Sequence, residues 1–121
     1  NLLFPPSDPQ ATPEALALLA RLQHAQGRAI LSGQHNQMPR MSVVSEEVEA
    51  ITGRYPLVWG GEWGFSDARN DTDDIRYRPR LLSEIRRHQS RGCVVVLTWH
   101  QAAPTVGEPC LFEGGVQTRL T

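Results

Sequence analysis

No charge of one sign dominates this chain: 12 basic residues stand against 13 acidic ones, a formal charge of −1 over 121 residues. Nucleic acid is therefore not the expected partner, because binding it favours a strongly basic face. Long hydrophobic runs are missing as well. No apolar stretch approaches the roughly 18 residues of a membrane span, so no part is expected to be embedded in lipid. Cysteine is scarce, with only Cys93 and Cys110. One pair can form one bridge and says little about redox compartment, and Cys93, at the start of an apolar run, equally suits a buried free thiol. The sequence holds no GxGxxG or Walker loop, no G-x-S-x-G and no H-E-x-x-H, which sets aside the chemistries those motifs serve. It opens on Asn1 without an initiator methionine or a basic-then-apolar leader, as a processed or cut end would.

What is present is an ordinary globular composition, 40% hydrophobic and 21% charged. That suits one compact domain or part of a larger one. Residues 1–11 form an irregular lead-in, its first ten carrying three prolines. Thr12 then reads as an N-cap with Pro13 and Glu14 in the first turn. Leu16, Leu19, Ala20 and Leu22 give that helix one apolar face, and Gly27 is its stop. The stretch "RAILSGQHN" follows as a strand. A second helix is expected from near Ser45, with Glu46 and Glu47 at its start, Val48 and Ile51 on its inner face and Gly53 at its end. "YPLVWGGEW" is the second strand. A third helix runs from about Ile75 or Pro79 to Arg91, with Leu81, Leu82, Ile85 and His88 on one side. Gly92 stops it, and "CVVVLTWH" reads as a strand covered on both faces. The sequence after His100, rich in Pro and Gly, reads as a long loop, and such loops are often functional.

Helix, glycine and strand thus recur three times, which predicts parallel strands joined by helical crossovers. The expected fold class is α/β: the N-terminal three β/α units of a (β/α)8 barrel, incomplete over residues 1–121, since a closed barrel takes about 250 residues. In such a fold the C-terminal strand ends gather the site. Those ends carry His35, then Glu62 and Trp63, then Trp99 and His100. An imidazole there can donate to a substrate hydroxyl, or simply bond a loop carbonyl. Glu62 can serve as a carboxylate for a ligand or pair with a nearby arginine. Trp63, beside Gly64, reads as exposed in a loop, and indoles pack well on sugar rings. Trp99 alternates with His100, so only one of the two should point to a given face. His35, Glu62 and His100 could also converge on a metal ion, a minor alternative. The segment Asp67 to Arg78 reads as a solvated loop and helix start, since its spacing does not fit a calcium loop.

Three pieces, "ILSGQHN", "ITGRYPLVWGGEW" and "GCVVVLTWH", together resemble the N-terminal part of glycoside hydrolase family 26, the β-mannanase family, across roughly residues 28–115. The resemblance implies a retaining hydrolase of β-1,4-mannan or a related β-glycan, secreted or periplasmic, with no cofactor and no metal. Trp99-His100 matches the family motif that places a histidine beside the sugar at the cleavage site. His35 corresponds to the family's first strand end, whereas many relatives carry an aspartate near the position of Glu62. The family's acid/base and nucleophile glutamates end a fourth and a seventh strand, so none of these residues is expected to be catalytic. His100, Trp99, Trp63, Glu62 and His35 are expected to bind substrate. The isolated segment is expected to be inactive and to self-associate. The alternative is a non-catalytic carbohydrate-binding protein that keeps the cleft.

Overall fold

A computed structural model describes residues 1–67, 74–100 and 107–109. Its contacts divide the chain into two compact units, 1–32 and 33–121. The first unit holds helix α1, Pro13–Ala25. Thr12 caps it as the sequence indicates, its hydroxyl accepting from the Ala15 N–H at 3.3 Å. The Gln23 side chain ties the lead-in to this helix: its Oε1 accepts from the Leu3 and Phe4 N–H groups, and its Nε2 donates to the Phe4 carbonyl. No residue of α1 is fully buried.

The second unit is α/β, with strands β1 (Gly33–His35), β2 (Val58–Glu62) and β3 (Val94–Thr98) forming a parallel sheet in that order. Helix α2 spans Val43–Thr52, and α3 spans Arg78–Ser90 behind a 3₁₀ turn at Ile75–Tyr77. Both starts expected for the third helix are thus present in sequence, a tight turn at Ile75 and the α-helix from Arg78. Gly53 and Gly92 end α2 and α3 with φ of 71° and 82°, a left-handed geometry that costs glycine nothing.

Strand β1 is much shorter than "RAILSGQHN". Its register sets Gly33 against Val58; continued backwards, it would set Leu31 against Pro56, which has no N–H to give to a ladder. Ile30 lies outside the strand, almost fully exposed. Helix α2 also corrects an expectation. It begins two residues before Ser45, and its buried residue is Ser45 itself, with Val48 half-buried. Ile51 lies six positions on, turned about 240° around the axis, and is 84% exposed. In α3, Leu81, Ile85 and His88 point inward at i, i+4 and i+7, but Leu82 is exposed.

Strand geometry sends successive side chains to opposite faces. Trp59 lies on the face covered by both helices: its indole N–H donates to Ser42, the N-cap of α2, and its ring stacks on His88 of α3. With Met38, Met41, Leu81 and Ile85 it makes the core. Gly61 is on the same face, where an added Cβ would meet the Trp59 ring at 2.8 Å. Both α2 and α3 thus lie on one face of this sheet. Val58, Gly60 and Glu62 face the other way. Strand β3 is not covered on both faces as its composition suggests: Val96 is 51% exposed, and Leu97 is exposed too.

Candidate functional site

Three of the five predicted site residues meet at the C-terminal ends of the strands, on the face away from the helices. Register explains the meeting. His35 pairs with Gly60 across β1 and β2, and Glu62 pairs with Thr98 across β2 and β3, so Glu62 sits two residues beyond the level of His35 and two before that of His100. The Glu62 carboxylate is buried, while both imidazoles are half-exposed. His100 Nδ1 lies 3.1 Å from Glu62 Oε1, and His35 Nε2 lies 3.9 Å from Glu62 Oε2.

The 3.1 Å contact assigns the proton. A carboxylate can only accept, so the His100 Nδ1–H donates to Glu62, and whenever the ring is neutral its Nε2 is left as a lone-pair acceptor. His100 can then accept a hydrogen bond from a ligand hydroxyl. Phe65, buried beside it, presents its ring to the imidazole edge-on, with centroids 5.8 Å apart. Gly60 is what lets His35 lie across the sheet, since a Cβ there would meet the His35 Cα and Nδ1 at 3.1 Å. Asn36, fully buried, bolts the end of β1 in place. Its amide donates to the Gln34 and Gly60 carbonyls, and its oxygen accepts from the Ser45 N–H and hydroxyl.

The two tryptophans go elsewhere. Trp63 is half-buried against the core rather than exposed in a loop, because the Arg78 guanidinium covers its ring at 4.8 Å. Trp99 is 51% exposed, and its indole N–H donates to Glu108 Oε1 at 2.8 Å. Glu108 Oε2 takes a hydrogen bond from Arg78 at 2.7 Å. Burial would raise the Glu108 pKa, but the hydrogen bonds from Trp99 and Arg78 outweigh it and hold the carboxyl below its ordinary value. Thus His100 turns to Glu62, and Trp99 turns to a separate arginine–glutamate pair. Sequence reasoning missed Arg78 and Glu108, which lie 30 positions apart in no recognisable spacing. Phe65 and Asn36 were legible only as neighbours of the strand ends.

A second cluster lies under the sheet. Ser42, Glu84 and His88 contact one another, with His88 completely buried between the stacked rings of Tyr55 and Trp59. A nucleophilic triad needs its carboxylate on the imidazole nitrogen remote from the serine. Here both Ser42 Oγ and Glu84 Oε1 approach Nε2, at 2.6 and 3.2 Å, and Nδ1 has no partner. The Ser42 hydroxyl donates to Glu84 and accepts from Trp59. This is a structural lock joining α2, β2 and α3. Burial pushes the His88 pKa down despite the opposing pull of Glu84. For Glu84 burial acts upward, but hydrogen bonds from Arg87, Ser42 and His88 together win and lower it to about 2.

Among the described residues, no three of His, Cys, Asp and Glu are arranged to hold a metal ion. Asp74, in the segment expected to be solvated, is buried and paired with Arg76. Cys93 is a half-buried free thiol, whereas Cys110, the rest of its possible bridge, and most of the loop after His100 lie outside the described residues. Comparisons with protein-family models, with curated proteins and with solved structures found no match for this chain.

Proposed function

We propose that these residues form part of the substrate cleft of a retaining glycoside hydrolase similar to family 26, in a (β/α)8 barrel acting on β-1,4-mannan or a related β-glycan. The observation that supports this reading most is the Glu62 carboxylate bracketed by His100 and His35 at the C-terminal strand ends. Such ends are where barrel enzymes build their sites, and the Trp-His motif of the resemblance falls at one of them. In this reading Glu62 orients His100, and the bare Nε2 of His100 accepts from a sugar hydroxyl. Trp63 and Trp99 then belong to the walls around the sugar and make contact at their exposed parts.

Hydrolysis itself is assigned to groups other than these. Retention needs two carboxyl groups about 5–5.5 Å apart, one as acid/base and one as nucleophile. Glu62 instead has two imidazoles as neighbours. Purified chain should therefore release no reducing ends from mannan, and steady release would overturn the assignment of Glu62 as a binding group. The decisive test of the enzyme reading is the encoding locus. A histidine–glutamate pair ending a fourth strand and a glutamate ending a seventh would support a retaining glycosidase. Their absence would replace it with the binding-only reading, which the same single-carboxylate geometry favours.

A further inference from the structure

The Glu62–His100 pair joins two different strand ends, which the Trp63 N–H bonded to the Thr98 carbonyl at 2.8 Å ties only as far as Thr98, so the setting of His100 beyond it depends on side chains. The geometry points to Arg78 and Glu108 as positioning residues that set the His100 imidazole on Glu62. Arg78, at the start of α3, donates from Nε to the Trp63 carbonyl at 3.0 Å and from Nη2 to the Gly64 carbonyl at 2.8 Å. Those are the two residues directly after Glu62. The same Nη2 donates to Glu108, whose other oxygen holds the indole of Trp99, the residue directly before His100. One guanidinium thus grips the backbone beyond Glu62 and, through one carboxylate, the side chain before His100.

Chemistry favours arginine in this place. Its planar fork can serve several acceptors at fixed angles while lying over an aromatic ring, here Trp63. The charged head of lysine is a single point and cannot span them. The Arg78 and Glu108 side chains are 22% and 21% exposed, so the pair is partly shielded from water, and its hydrogen bonds are charge-assisted. Trp99 and His100 leave the strand end on opposite sides. Fixing the indole on one side therefore fixes the backbone from which the imidazole projects on the other.

This assignment rests on the proposed site only in taking Glu62–His100 as its centre; its test needs no sugar, so either can fail alone. The readout is the His100 tautomer, followed by long-range ¹H–¹⁵N correlation spectra of the full chain at neutral pH. Wild type should show His100 protonated on Nδ1, and Glu62→Ala supplies the reference for a lost carboxylate partner. Arg78→Lys and Glu108→Ala should lose the single Nδ1–H pattern and give a population-averaged ring, while amide dispersion stays native. Glu108→Gln keeps the shape and one acceptor, so it serves if the other variants fail to fold; it should populate both tautomers. A wild-type His100 spectrum in folded Arg78→Lys or Glu108→Gln protein, even with a lowered unfolding midpoint, would make the clasp merely structural and overturn the assignment.

Discussion

Single residues decide whether the strand ends can meet. The Gly60 hydrogen stands where a Cβ would press on His35, so Gly60→Ala should push the imidazole away from Glu62. Chemical shifts of the His35 ring should move, with a modest stability loss of about 1–3 kcal/mol for the overpacking. Asn36 works through polar bonds: four groups depend on its amide. Asn36→Ala leaves buried donors and acceptors unpaired, and about 1–3 kcal/mol is the usual cost of such a loss. Urea denaturation should register it as a lower midpoint. At this scale the sequence was informative where chemistry is local. Thr12 could be read as a cap, and Gly53 and Gly92 as stops, because each acts on its own neighbours. Asn36 could not be read that way, since its partners Ser45 and Gly60 lie 9 and 24 residues away.

At the scale of elements, α2 and α3 are fastened to β2 through Ser42, Glu84 and His88, and this fastening should be acid-sensitive. His88 is held neutral in the fold, with its pKa below the ordinary 6.5. Below pH 6.5 the unfolded chain binds a proton that the folded chain refuses, so stability falls as pH drops. Glu84 acts in the same direction at lower pH. Its carboxyl titrates near 2 when folded and near 4.5 when free, so its contribution is present above about 4.5 and lost from there toward 2. Urea midpoints measured from pH 8 down to 3 should decline in two stages, and Glu84→Gln should flatten the lower one. A midpoint constant from pH 7 to 5 would contradict the neutral, buried His88. The inward positions Leu81, Ile85 and His88 follow from helical periodicity alone. That His88 would meet a serine from α2 does not, because the pairing depends on how two helices lie on one sheet.

For the whole molecule the open surface matters most. Among the described residues strand β3 has one neighbour in the sheet, and Val96 and Leu97 on it and Trp99 just after it are exposed. An exposed apolar edge of this kind recruits other chains. The protein on its own is expected to self-associate, and light scattering after size exclusion should give a mass that rises with concentration. A monomeric mass at all concentrations, with a sharp concentration-independent unfolding transition, would refute it.

The sequence by itself determined the alternation of helices and strands, the parallel sheet, and which residues stand at the strand ends. These follow from periodicity, caps and glycine stops, all interactions within a few residues. Tertiary structure alone decided that α2 and α3 share one face, that β1 keeps only three residues, and that His100 turns to Glu62 while Trp99 turns to Glu108. The physical reason is reach. A hydrogen bond or ring contact acts over a few ångströms, and only the packed sheet brings residues tens of positions apart within that distance.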